Sequence, residues 1–124
     1  MKLKFLIPVL MVFFISCKQT SKEIVNITVS DLKTELAENN IQLLDVRTPE
    51  EWEQGTIDGA LKVNYYDDNF VSDATSQLSK DKPVYVYCKS GGRSLQASEK
   101  LLNEGYKVYN VLGGYNHWKE ENSK

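Results

Sequence analysis

Residues 84–87, Val-Tyr-Val-Tyr, are apolar or aromatic at every position and lie between a turn at Asp81-Lys82-Pro83 and the polar stretch Cys88-Lys89-Ser90-Gly91-Gly92-Arg93. A strand with one wet face alternates polar and apolar side chains, so an unbroken run predicts a strand buried on both faces. Such strands sit inside mostly parallel sheets covered by helices. The rest of the chain supplies the partners. Residues 24–29 and 41–46 are short β-branched or apolar runs, 60–64 is a weaker one because Lys62 interrupts it, and 108–112 is the last. Helical signals fall between them. Ser30 is placed to cap a helix over 31–38 that ends at Asn39-Asn40, and Thr48-Pro49-Glu50-Glu51 is a capping box with Pro at the first helical position, stopped by Gly55. Residues 69–78 carry Phe70, Val71, Ala74 and Leu78 at amphipathic spacing, residues 94–103 follow the polar stretch with Gly105 as their C-terminal cap, and Gly113-Gly114 leads into a final short helix with Trp118. Strand and helix alternate throughout, which predicts an α/β fold: one domain with a five-stranded, mostly parallel sheet and helices on both faces.

The first 17 residues are of another kind. Lys2 and Lys4 precede a run, 5–15, that is almost wholly apolar but interrupted by Pro8, and Ser16-Cys17 follows. The run is too short to span a bilayer, which takes about 20 residues, and has the pattern of a secretory signal sequence. A small residue directly before a cysteine resembles the lipobox of bacterial lipoproteins, although Phe14 stands where Leu is usual. Cys17 is then the expected lipidation site, residues 18–26 a tether, 27–120 the domain and 121–124 a tail. An exported protein is expected, periplasmic or at the cell surface, held to a bacterial membrane by a lipid anchor rather than spanning it.

Without residues 1–17 the chain keeps 13 Lys and Arg against 17 Asp and Glu. An acidic domain with scattered cations has no basic stripe for nucleic acid, and two Cys and one His are too few for a structural zinc site; no metal or cofactor is expected. The mature domain keeps one thiol, Cys88. An isolated cysteine in an exported protein is either packed and inert or reactive.

The five residues after Cys88 are all polar or Gly, which is poor core sequence. Glycines allow consecutive amides to converge into a nest for negative charge, the following helix adds its positive end, and Lys89 and Arg93 add formal charge. All favour thiolate over thiol, so Cys88 is the candidate nucleophile, with Lys89, Ser90, Gly91, Gly92 and Arg93 as the candidate binding loop. No histidine base is required, and His117, in the last helix, is expected to be a surface or half-buried ring. The ligand site of such a sheet lies beyond the carboxyl ends of its strands, where Asp45 and Arg47 also fall; these two read equally as a structural pair or as supports for the loop.

Four segments together resemble a single rhodanese domain: Leu44-Asp45-Val46-Arg47-Thr48-Pro49-Glu50-Glu51-Trp52, Gly55-Thr56-Ile57-Asp58-Gly59-Ala60, Tyr87-Cys88-Lys89-Ser90-Gly91-Gly92-Arg93-Ser94, and Leu112-Gly113-Gly114-Tyr115 with Trp118. The resemblance implies a five-stranded parallel sheet and sulfurtransferase activity, in which Cys88 takes a sulfane sulfur from a small anionic donor such as thiosulfate. The resulting persulfide passes its sulfur to cyanide or a thiol, with a protein acceptor as another option. It further implies that the loop amides and Arg93 hold the anions and that Asp45 braces Arg93. Thr56 departs from the family's frequent His at that position and is expected to be a turn residue. Two alternatives stand beside this one. Phosphatases and arsenate reductases that share the thiolate loop resemble Cys-x5-Arg, whereas Arg93 is five residues after Cys88, and the tighter ring suits a single sulfur better than a tetrahedral oxyanion. A domain that binds or carries sulfur without turnover would look the same in sequence.

Overall fold

The computed structural model describes residues 23–123. Five strands, β1 (Val25–Ile27), β2 (Gln42–Asp45), β3 (Leu61–Lys62), β4 (Val84–Tyr87) and β5 (Val108–Val111), form one sheet in the order β1-β5-β4-β2-β3. Every pairing is parallel. The helices are α1 (Val29–Glu38), α2 (Pro49–Glu53), α3 (Phe70–Gln77), α4 (Gly92–Asn103) and α5 (Gly114–Asn122). As its sequence demands, β4 is central and buried at all four positions.

The pleat sorts side chains between two cores. Val84, Val86 and Cys88 join Leu44, Val108 and the buried residues of α3 and α4, among them Phe70, Ala74, Ala97 and Leu101. Tyr85 and Tyr87 join Leu43, Val111, Val29 and Leu32 on the opposite face, where Tyr115 and Trp118 of α5 also pack. Each fully buried Phe or Leu contributes about 1.5–3 kcal/mol, so the two-sided core is the main source of stability.

Several boundaries differ from the sequence expectation, for local reasons. Thr28, not Ser30, caps α1: its Oγ1 accepts the Asp31 amide at 3.1 Å while Asp31 Oδ2 accepts the Thr28 amide at 3.2 Å. The box starts the helix at Val29, which packs in the core and is not strand. Val25 and Asn26, expected in the tether, belong to β1, and Asn110 Nδ2 donates to Asn26 Oδ1 across the strand pair at 3.0 Å. At the other end α5 runs through Asn122, so the helix continues into the expected tail. The β3 strand is only two residues long, and α4 begins at Gly92, which places Arg93 in the helix and not in the loop. The expected signal sequence, Cys17 and the first part of the expected tether lie outside the described residues.

Candidate active site

Strands β2 and β4 are neighbours in register, with Asp45 opposite Tyr87. The chain therefore leaves the sheet side by side at Val46-Arg47 and at Cys88, and the two sequence clusters meet at the carboxyl edge. From β4 the chain turns through Lys89 and Ser90 to Gly91, whose φ of +123° is a conformation other residues rarely adopt, and enters α4. Gly91 is the N-cap of α4 and has no side chain to satisfy the first turn. The cysteine sulfur takes that role.

The Gly91 amide donates to Cys88 Sγ at 3.0 Å, and Ser94 Oγ lies 3.5 Å from the sulfur. Ser94 is itself fully buried and held by a 3.0 Å hydrogen bond to the Gly91 carbonyl. Burial pushes the Cys88 thiol up, but the Ser94 hydroxyl and the backbone amides of Ser94, Gly91 and Ser90 outweigh it, and the net shift is downward. Cys88 is only 1% exposed and touches the apolar core, so it is both packed and activated. A sulfur at the foot of the strand, under converging amides, is a small recessed nucleophile.

Of the expected binding residues, Lys89 and Ser90 are exposed on the loop and Gly92 is exposed at the first position of α4. Arg93 is differently engaged: its Nη1 and Nη2 donate to Glu51 Oε1 and Oε2 at 2.6 and 2.9 Å. Glu51 is the capping-box residue of α2, accepting from Thr48 as well, and the Arg93 hydrogen bonds hold its carboxyl down at about 2. Much of the Arg93 charge is thus countered before any ligand arrives.

Asp45 does not brace Arg93. Its carboxylate accepts Arg47 Nε at 3.0 Å and Nη2 at 2.8 Å, with the Arg47 amide at 2.9 Å. The reason is strand alternation: Asp45 and Arg47 share the face of Leu43 and Tyr87, whereas α4 packs on the other. Arg47 also donates to the Gly55 carbonyl at 2.7 Å and lies 4.2 Å from the Tyr115 ring centre. Burial opposes its charge, but the Asp45 hydrogen bonds and charge more than offset that and raise its pKa. The buried pair ties β2, the turn after α2 and α5 together. Beside it a pocket of about 250 Å³ is lined by Arg47, Glu51, Gln54, Lys89, Tyr115, Asn116 and Lys119. His117 is exposed, and Tyr66, 65% exposed, lies with its ring centre 5.7 Å from the Arg93 guanidinium.

Sequence reasoning missed two site residues. Ser94 stands only as the start of a helix, and Glu51 only as a cap, because a capping box explains a Glu locally and hides a second partner 42 residues away.

A parallel α/β sheet with an amide-cradled cysteine at the end of its central strand is the arrangement that the comparisons with known proteins meet. Residues 28–121 match the Rhodanese-like domain family, and the chain belongs to that family. It is 36% identical over 116 residues to thiosulfate sulfurtransferase 18 of Arabidopsis thaliana, covering 84% of this chain and 85% of that one. It is 34% identical over 100 residues to the putative sulfurtransferase YtwF of Bacillus subtilis, covering 80% and 94%. Among solved structures, a rhodanese-like domain protein from Staphylococcus aureus superposes with a TM-score of 0.70 at 33% identity, over 77% of this chain and 91% of that one. The Arabidopsis and Bacillus relatives are both named as sulfurtransferases, the YtwF protein as a putative one.

Proposed function

We propose that the protein moves sulfane sulfur from thiosulfate or a similar anionic donor to cyanide or a thiol through a persulfide on Cys88. The Cys88 thiolate attacks the outer sulfur of thiosulfate; the S–S bond of the donor breaks, sulfite leaves with the electron pair, and Cys88–S–S⁻ remains. An acceptor nucleophile then attacks the outer sulfur, and the electrons of the cysteine–sulfur bond return to Sγ. Cyanide yields thiocyanate; a thiolate yields its own persulfide. No proton transfer is required, which fits a nucleophile ionised by its surroundings without a histidine base.

The observation that carries this reading is the Gly91 amide on Cys88 Sγ with Ser94 behind it. The added sulfur extends about 2 Å beyond Sγ, and its negative charge suits a loop whose amides converge. The spacing of Arg93 from Cys88, five residues rather than six, favours a sulfur atom over a phosphate or arsenate group. Incubation with thiosulfate is expected to add the mass of one sulfur at Cys88, and Cys88→Ala to abolish both the adduct and thiocyanate formation. No adduct with thiosulfate or with a persulfide donor would overturn the reading and leave a binding module.

We further propose that Cys17 is lipidated after export and that the domain works at a bacterial membrane surface, where a protein thiol could serve as acceptor. The basic, apolar and Ser16-Cys17 pattern supports this. Labelling of the full chain with a fatty acid, lost in Cys17→Ala, is the expected result; labelling unchanged by that substitution would refute it.

A further inference from the structure

The motif Gly113-Gly114-Tyr115 carries no role in the chemistry above, yet α5 begins against the catalytic loop. The Tyr115 amide donates to the Cys88 carbonyl at 2.8 Å and the Asn116 amide to the Lys89 carbonyl at 3.0 Å. These two amides belong to the first turn of α5, whose N–H groups have no partner within the helix, and the N-cap, Gly113, has no side chain to offer one. Loop carbonyls and helix amides satisfy each other.

The approach is possible only because residue 114 lacks a side chain. Gly114 is buried with φ of +53°, and a Cβ there would overlap the Cys88 carbonyl oxygen and stand 2.9 Å from the Lys89 carbonyl carbon and oxygen. In a trans peptide the C=O and the following N–H point in opposite directions. A carbonyl turned toward α5 therefore turns the next amide away from it. We infer that Gly114 and the first-turn amides of α5 are positioning groups for Cys88: by holding the carbonyls of Cys88 and Lys89 toward α5, they fix the path of the loop that delivers the Gly91 amide to the sulfur. The inference rests on the assignment of Cys88 as the working thiolate, and its test reads thiol titration directly, independently of sulfur transfer.

The test compares Gly114→Ala with Gly59→Ala, which has a similarly positive φ of +83° but open space around it. The pH profile of Cys88 alkylation by iodoacetamide is recorded for each, with circular dichroism as the check on folding. Gly114→Ala is expected to move the alkylation midpoint upward and slow the reaction at pH 7 about tenfold, one pH unit of midpoint, with the rate recovering at high pH. Gly59→Ala is expected to titrate as the unaltered protein. A folded Gly114→Ala with an unchanged midpoint overturns the inference. If that variant does not fold, Asn116→Pro, at the third position of the helix, removes the donor to the Lys89 carbonyl; an unchanged midpoint in that variant overturns it equally. In the unaltered protein the Tyr115 and Asn116 amides are expected to be protected from hydrogen exchange, and exchange as fast as in an open helix end would also overturn it.

Discussion

At Cys88 two opposed effects meet. Burial of a thiol favours the neutral form, while each hydrogen bond to the sulfur favours the anion, and a hydrogen bond to a charged group is worth about 1.5–3 kcal/mol. The Gly91 amide and the Ser94 hydroxyl tip the balance downward. The alkylation midpoint of Cys88 is therefore expected below the ordinary cysteine value of about 8.5, and sulfur uptake from thiosulfate is expected to fall as pH drops through that midpoint. Ser94→Ala removes the hydroxyl beside the sulfur and leaves the backbone in place. It is expected to raise the midpoint and slow alkylation at pH 7 about three- to tenfold; an unchanged profile would show that the backbone amides alone set the ionisation. Cys88 itself, and the polar residues that follow it, were legible in the sequence because the end of an apolar strand is poor ground for glycines and charges. Ser94 was not, since a serine in a helix ordinarily needs no partner outside it.

Among the elements, α2 does more than its five residues suggest. Glu51 closes the capping box of Thr48 and also clamps Arg93 on α4, so one carboxylate fixes the start of one helix to the start of another. The Arg93 hydrogen bonds hold the Glu51 carboxyl at about 2, against about 4.3 in an unfolded chain. Because the folded value is the lower one, the stabilisation is fully present above the ordinary carboxylate range and is lost as pH falls toward about 2. Glu51→Gln keeps a side chain that can cap but not one that can pair as an ion. Urea midpoints are expected to be lower for Glu51→Gln at neutral pH and to converge with those of the unaltered protein near the acid limit. A gap that stayed constant with pH would assign the loss to packing or capping and not to the Arg93 pair. The box at Thr48 was plain in the sequence; its second partner depends on how β2 and β4 are placed in the sheet.

For the whole molecule, the order β1-β5-β4-β2-β3 puts the strand that leads into Cys88 in the middle and the shortest strand at an edge. Amides of β4 have parallel neighbours on both sides and helices over both faces, while β3 has one neighbour and two residues. Hydrogen exchange is expected to be slowest in β4 and fastest among the strands in β3; equal protection in the two would contradict a single cooperative core centred on β4. The sequence by itself determined the alternation of elements, the burial of residues 84–87 on both faces, the placing of Cys88 at the mouth of a glycine loop, and the capping box at Thr48. These follow from side-chain periodicity and turn chemistry, which act between near neighbours. Only the tertiary structure decided that Asp45 pairs with Arg47 and Arg93 with Glu51, that Ser94 faces the sulfur, and that α5 starts on the carbonyls of the loop. Which partner a charge or an orphan amide meets depends on strand order and on the face each side chain takes, and those bring together residues that no local pattern relates.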